Sequence, residues 1–335
     1  MLKEKLLQLI KKVKQIFLSG TEMIKKAFNS WPKAFIGVFM FLILAYYPLG
    51  GKISENIDKT IDYDFSSVSA EQSQTVELAA YLVNREVNEN MWTANLPFFF
   101  PAYSLDNMPN FQTGIIQSLA RVTKAISSQV QCLDNEKEIK EIKSAAKLLN
   151  YPSNVWLFHP DNKLKMAPSS SAQYKKARKK LKDFNIALKE EKCFWIRDKE
   201  SLYKINKAVI KGLSKAITDI ESEIREGSNR WTDTKADDAF YLNQGRVYAF
   251  MLILKKLGRD YKQVLMSEEL YQDWTIATRA LQNAVEMTPE IVVNGKIDDS
   301  LKPNHLMSLG YYIIKAENIL TKINIKLSGE SKNAN

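Results

Sequence analysis

The hydrophobic pattern contains one long apolar run near the start of the chain. Residues 34–51 are 18 positions without a charge, and as a helix they would cover roughly 27 Å, close to the thickness of a bilayer core. Trp31 and the pair Tyr46-Tyr47 would lie at the two headgroup levels, and Pro48-Leu49-Gly50-Gly51 is expected to end the helix. The pattern therefore predicts a transmembrane helix over residues 34–50. Its basic flanks disfavour a buried core helix, and the 33 residues before it disfavour a cleaved signal peptide.

Elsewhere the apolar positions mostly follow helical spacing. The first 17 residues place leucines and other apolar side chains on one face and lysines largely on the other, which predicts a basic amphipathic helix. Residues 154–158 and 291–293 are short apolar pieces that follow prolines and are expected to be extended. The predicted fold class is all-α with minor short strands. Helical spacing in the body is clear over residues 76–87, 115–130, 205–224, 247–257, 271–285 and 306–323.

Matched landmarks indicate an internal duplication of the body. Trp92-Thr93 recurs as Trp231-Thr232 at an offset of 139, and Pro152 with Val155 recurs as Pro289 with Val292 at an offset of 137. Coincidence among common residue types is the alternative. The expected organisation is a cytoplasmic amphipathic helix at 1–33, the transmembrane helix at 34–50, a polar stalk at 51–72, a first helical repeat at 73–195, a second helical repeat at 196–326 and a disordered tail at 327–335.

The distribution of charge predicts the orientation of the chain in the membrane and limits the classes of partner that it would bind. Residues 1–33 carry eight lysines against two glutamates, whereas the whole chain is +10, so the remainder is only mildly basic. Because basic residues beside a span stay on the cytoplasmic side, we expect the body outside, which is the periplasmic face of the inner membrane if the source is bacterial. The expected partners are the lipid bilayer and either another envelope or membrane protein or an envelope polymer. Nucleic acid is not expected.

The residue supply excludes several common enzyme classes. The chain has two histidines and 12 glycines, and it lacks the H-E-x-x-H, G-x-S-x-G and phosphate-binding glycine motifs. We therefore expect no metal and no cofactor. His305 follows Pro303-Asn304 at a predicted helix start, where it would pack or cap the helix, and it is also a candidate binding residue.

Acidic side chains are the only catalytic candidates. Asp233 and Asp237 are four residues apart beside Trp231, and they would suit a cation or an acid–base pair; the alternative is that they interact with the helix dipole at a helix start. Glu86, near Trp92, could serve a sugar-cleaving site, which needs one protonated and one ionised carboxyl group.

A mixture of aromatic and amide side chains suggests a binding surface that would stack on sugars or accept a peptide. The alternative is an irregular loop that packs in the core. The candidates in the first repeat are Trp92, Asn95, Phe99, Asn107, Asn110 and Gln112, and those in the second are Trp231, Asp238, Tyr241, Arg246 and His305.

Cys132 and Cys193 are the two cysteines of the chain. An oxidising compartment would allow a disulfide between them, and two free thiols are equally compatible with the sequence.

Several strings resemble a known family. Trp92-Thr93-Ala94-Asn95, residues 97–101 and 105–114, Ala236-Asp237-Asp238 and Pro303-Asn304-His305-Leu306 are similar to an uncharacterised group of proteobacterial single-span inner-membrane proteins, catalogued as a domain of unknown function. The resemblance covers nearly the whole chain and implies location and fold but no activity. We therefore expect a membrane-anchored periplasmic binding or scaffolding module. The alternative is a carboxylate-dependent, peptidoglycan-acting hydrolase of the envelope.

Overall fold

The computed structural model describes residues 35–133, 137–159, 162–227, 234–295 and 303–329, together with Gln15, Ser19 and Lys33. The predicted amphipathic helix at 1–33 and most of the predicted tail lie outside the described residues.

The described chain is mainly helical, which confirms the predicted fold class. The minor strands form two antiparallel pairs, Val130–Cys132 with Cys193–Trp195 and Phe158–His159 with Asn162–Met166. The helices are α1 (Phe35–Ser54), α2 (Gln74–Asn84), α3 (Asn107–Ser127), α4 (Lys137–Leu149), α5 (Ser170–Lys189), α6 (Lys199–Gly227), α7 (Thr234–Asp260), α8 (Lys262–Ser267), α9 (Tyr271–Val285) and α10 (His305–Ser328), and the strands are β1 (Val130–Cys132), β2 (Phe158–His159), β3 (Asn162–Met166) and β4 (Cys193–Trp195).

Helix α1 is long and apolar enough to cross a membrane. It has 20 residues, and only 6% of its apolar window is buried by the rest of the protein. The helix continues four residues past its predicted end at Gly50. Pro48 removes one backbone donor, but Glu55 N–H still donates to Gly51 O at 2.9 Å, so the last turn remains helical.

The body is built around a close crossing of α3 and α7. A Cβ atom on Gly114 would lie 2.2 Å from Leu242 O, and one on Gly245 would lie 2.1 Å from Phe111 O. Both distances are far inside van der Waals contact, so the two backbones approach this closely only because glycine is present at both positions.

The other helices surround this pair in a similar order on both sides. Helix α4 packs between α3 and α5, and α9 packs between α7 and α10; α2 contacts α5 and α7, and α6 contacts α10 and α3. The duplication stays a prediction, and this parallel arrangement supports it.

Residues 55–72, which the sequence assigns to a polar stalk, lie against the body. Ile57, Ile61, Tyr63 and Phe65 pack on the core. The Lys59 ammonium donates to Met287 O at 2.9 Å. Although the segment lacks helical periodicity, its alternating apolar residues bury one side. We call residues 55–72 the strap.

A disulfide joins Cys132 of β1 to Cys193 of β4, and the described chain has no free cysteine. The bond links the segment after α3 to the segment after α5, across 61 residues of sequence. Of the two states that the sequence leaves open, the structure contains the disulfide.

Candidate functional site

Three of the predicted binding residues lie inside the body and hold one loop. Gln112 is fully buried; its side-chain oxygen accepts from the amide and hydroxyl of Thr93, and its amide donates to Glu86 O and Met91 O. Trp92 Nε1 donates to Ser153 O at 2.9 Å. These bonds satisfy the polar groups of an irregular turn in which Met91 has a φ of 57°. The third residue, Asn95, donates to Val155 O at 2.8 Å and fastens the same loop to the segment before α5.

Glu86 lies in the core and is paired with Arg85. Both residues belong to a π-helical turn over Arg85–Glu89, and the Arg85 Nε–Glu86 Oε1 distance is 2.7 Å. Arg85 also donates to the hydroxyls of Tyr63 and Tyr248 at 2.5 and 2.6 Å. Burial raises the pKa of Glu86, and the Arg85 guanidinium opposes that change. Because Glu86 is 1% exposed, it has no open path to a substrate in this conformation.

The charge of Arg85 is balanced by several groups at once. Burial by itself would lower the pKa of Arg85, but Glu86 and the oxygens of Tyr248 and Tyr63 outweigh burial and raise it. Asp58 of the strap adds a carboxylate 3.2 Å from Arg85 Nη1. The network therefore ties the strap, α2 and α7 together, which is a structural role.

Carboxylates gather where α3 and α7 begin. Asp106 is the N-cap of α3, and Asp237 lies in the first turn of α7 with Asp238 directly after it. Burial raises the pKa of Asp237 to about 6, and the neighbouring charges of Asp106, Asp238 and Glu55 add to the effect. Burial and Asp106 also raise the pKa of Asp238, against the hydrogen bond from Asn110. Burial and the neighbouring carboxylates therefore favour the protonated form of Asp237.

Neighbouring residues complete this cluster. Asn110 Nδ2 donates to Asp238 Oδ1 at 2.7 Å, and burial raises the pKa of Tyr241, which also faces the charge of Asp237. Asn107 is the first residue of α3, and its backbone N–H donates to Asp106 Oδ1 at 2.9 Å. Among the described residues no group of three His, Cys, Asp or Glu is arranged to hold a metal ion. Trp231 and Asp233 lie outside the described residues.

Two further candidates, Arg246 and His305, have structural partners. Arg246 donates to Gln117 Oε1 at 2.8 Å, to Asp219 Oδ2 at 2.6 Å and to Asn243 Oδ1 at 2.8 Å, so it joins α3, α6 and α7. His305 begins α10, and its Nδ1 accepts from Val293 N at 3.0 Å. Burial lowers the pKa of His305. The helix-start position expected for His305 is observed, with Asn304 as the N-cap.

Phe99 belongs to an exposed aromatic surface, which we define as Phe98, Phe99, Phe100, Tyr103 and Trp156. The Phe99 ring centroid lies 5.6 Å from those of Phe98 and Trp156. Phe98 is 67% exposed and Phe99 49% exposed, whereas Trp92 in the same part of the sequence is 2% exposed. Sequence reasoning missed Trp156, because the string Trp156-Leu157-Phe158 has the pattern of a buried strand.

An open groove of about 630 Å³ lies between the strap, α7 and α9. Lys255, Arg259 and Arg279 are among its lining residues. None of the predicted site residues lines it. Its walls are the strap and two helices of the second predicted repeat.

Comparison with known proteins gives one partial match. A family described as "uncharacterized protein conserved in bacteria (DUF2333)" matches residues 199–327, which run from the start of α6 almost to the end of α10. No curated protein and no solved structure matches the chain. The match covers the predicted second repeat and carries no activity.

Proposed function

We propose that this protein is a membrane-anchored binding or scaffolding module of the bacterial cell envelope, with α1 in the inner membrane and the helical body in the periplasm. The observation that carries the proposal is that α1, an exposed apolar helix, is fastened to the body at its end. Tyr46 and Tyr47 donate to the carbonyls of Phe99 and Phe98 at 2.8 and 2.7 Å. The strap then continues along α7.

Two independent features support the periplasmic orientation. The lysine-rich segment before α1 favours a cytoplasmic N-terminus. The Cys132–Cys193 disulfide belongs to the body, and such bonds persist mainly in oxidising compartments. Both features support the same side of the membrane for the body, the periplasmic one. The family resemblance to proteobacterial single-span proteins and the origin of the body from two related repeats belong to the same proposal.

The roles of the candidate residues favour a scaffold over an enzyme. The Glu86 carboxylate is bonded to the adjacent Arg85, and Gln112 and Arg246 use their polar groups in contacts between separate elements of the body. Buried polar groups that are fully engaged in this way stabilise one arrangement of helices and leave little for a substrate. What the arrangement can do is hold a large helical surface at a fixed place beside a span.

Expression of the full-length chain in bacterial cells tests the anchor and its orientation. Membranes are washed with alkaline carbonate, and thiols are then labelled with a maleimide polymer before and after reduction. We expect the chain to stay in the membrane pellet and its cysteines to react only after reduction. Release by carbonate would refute the anchor. Labelling without reduction would refute a body folded in an oxidising compartment. The matched control is the double variant Cys132→Ser with Cys193→Ser, which should not react.

The carboxylate cluster favours a second candidate, a hydrolase of the envelope. A half-buried Asp237 whose pKa is raised to about 6, beside Asp238, has the features of a general acid with a carboxylate partner. Purified wild type and Asp237→Asn are incubated with isolated peptidoglycan, with Asp273→Asn in the first turn of α9 as the control. Release of soluble fragments by wild type and the control, but not by Asp237→Asn, would support the hydrolase. No release of fragments by any of the three proteins would refute the hydrolase and favour the scaffold.

A further inference from the structure

The aromatic surface lies at the level where α1 ends. The hydroxyls of Tyr46 and Tyr47 bind the carbonyls of Phe99 and Phe98, and Gly50 faces Pro101 so closely that a Cβ on it would lie 2.4 Å from Pro101 Cβ. Pro101 begins the short 3₁₀ helix Pro101–Ser104. The loop that carries three consecutive phenylalanines is therefore packed directly on the last two turns of the apolar helix.

This surface combines apolar side chains with a lack of charge. Tyr103 is 56% exposed and Trp156 43% exposed, in addition to the exposed rings of Phe98 and Phe99. Residues 91–105 and 151–158 contain no Asp, Glu, Lys or Arg. A contiguous patch of this kind on a protein surface marks a contact with an apolar partner.

Several backbone polar groups of the loop are hydrogen-bonded within the protein, which lowers the cost of moving the loop from water into lipid. The carbonyls of Phe98 and Phe99 are satisfied by the two tyrosine hydroxyls. Within the loop, Phe100 N donates to Pro97 O and Tyr103 N donates to Phe100 O, each at 3.0 Å. Unpaired backbone groups are what normally keeps a loop out of a membrane, because lipid offers them no hydrogen bonds.

From these observations we infer that the aromatic surface inserts into the outer leaflet of the same bilayer that α1 crosses, and forms a second membrane contact that seats the body on the lipid. The inference rests on the proposed function, since it needs α1 to span. Lipid is the occupant because the loop is continuous with the end of the span, where tyrosine, tryptophan and phenylalanine side chains match the polar and apolar parts of the interface. The contact sets which face of the body points away from the membrane.

Three single-cysteine probes on the full-length chain test the inference, because Cys132 and Cys193 are already bonded to each other. Tyr103→Cys reports on the aromatic surface, Leu42→Cys on the middle of α1, and Phe194→Cys on a distant site. Phe194 is 44% exposed on β4, which pairs with β1 just beyond α3. Since α3 has 21 residues, it separates that sheet from the end of α1 by about 30 Å.

Each probe carries an environment-sensitive fluorophore, and the chain is reconstituted in vesicles of phosphatidylethanolamine and phosphatidylglycerol. Separate fractions of the lipid bear a nitroxide near the headgroup end or near the methyl end of the acyl chain, so that both the interface and the bilayer centre contain a quencher. We expect the probes at positions 42 and 103 to lose much of their emission, and the probe at position 194 to keep nearly all of it. Quenching at position 42 without quenching at position 103 would overturn the inference and leave the anchor intact. Absence of quenching at position 42 would overturn the anchor and the inference together, and equal quenching at 103 and 194 would overturn the inference.

Removal of the phenylalanine rings gives a second test. Phe98→Ser with Phe99→Ser should reduce quenching at position 103 to the level seen at position 194. Phe194→Ser, a matched loss of an exposed ring elsewhere, should leave the signal at position 103 unchanged. Undiminished quenching in the double variant would contradict insertion by this surface.

Discussion

Gly245→Ala places a methyl group where α3 and α7 cross, and it should destabilise the body. The added Cβ would lie 2.1 Å from Phe111 O and 2.8 Å from Phe111 C. These are backbone atoms of another helix, so no side-chain rotation can relieve the overlap. The two helices would have to move apart along a shared interface that includes the reciprocal contact of Gly114 with Leu242.

The expected change in the free energy of unfolding combines two opposing effects. Alanine is a better helix former than glycine by about 1 kcal/mol, which favours the variant. Overpacking of a tight core costs typically about 1–3 kcal/mol, and the upper end applies because backbone is displaced. The net loss is therefore about 2 kcal/mol, which corresponds to a fall in Tm of roughly 5 °C for a domain of about 250 residues.

Gly310→Ala is the matched control, because it adds the same methyl group to the buried face of another helix. There the nearest atom would be Ile220 Cγ2 at 3.6 Å, an ordinary contact. This variant should gain up to about 1 kcal/mol from helix propensity alone. Thermal unfolding of the purified full-length chain in detergent, followed by circular dichroism, measures both. A Gly245→Ala variant that melts at or above the wild-type temperature would refute the crossing geometry.

Three further predictions concern the disulfide, the buried ion pair and the acidic cluster. Replacing Cys132 and Cys193 together by serine opens a loop of 61 residues and should cost about 4 kcal/mol in denaturant unfolding; an unchanged midpoint would contradict the bond. Arg85→Met leaves the Glu86 carboxylate buried without its partner and should cost about 3–5 kcal/mol, with part recovered by adding Glu86→Gln; no recovery would argue against the pair. Asp237 binds its proton more tightly in the folded chain, with a pKa of about 6 against 3.8, so folding stability falls as pH rises between these values. Asp237→Asn should therefore be more stable than wild type above pH 6 and lose that advantage toward pH 4, and a pH-independent difference in Tm would contradict the raised pKa.

Periodicity predicted the helices well but not where each of them begins. The stretch 115–130 was predicted as a helix, and α3 instead begins at Asn107. Pro109 lies in the first turn of α3, where proline is compatible with a helix because its missing N–H group has no intrahelical partner. The capping carboxylate of Asp106, which accepts from Asn107 N, supports the earlier start.

The partners of buried polar residues could not be predicted from the sequence, because each partner is distant along the chain. Arg85 meets Tyr248 across 163 positions, and Arg246 meets Gln117 across 129. Local pattern carries no information on such pairs. Glu86 resembled a catalytic carboxylate for a different reason: its partner Arg85 is adjacent in the sequence, but local pattern does not show that both residues are buried.

The aromatic residues between Trp92 and Tyr103 are a second case in which local sequence does not show which side chains are buried. Sequence alone offered a single choice for the whole string, either a core loop or a binding surface. In the structure it divides, with Trp92 packed against Tyr174 and Phe98 to Phe100 left exposed beside α1. The position of the hydrogen-bond partners decides between burial and exposure. The Trp92 indole donates to Ser153 O inside the body. The carbonyls of Phe99 and Phe98 instead accept from Tyr46 and Tyr47 near the end of the apolar helix. If α1 crosses a bilayer as we propose, these rings would face lipid instead of water.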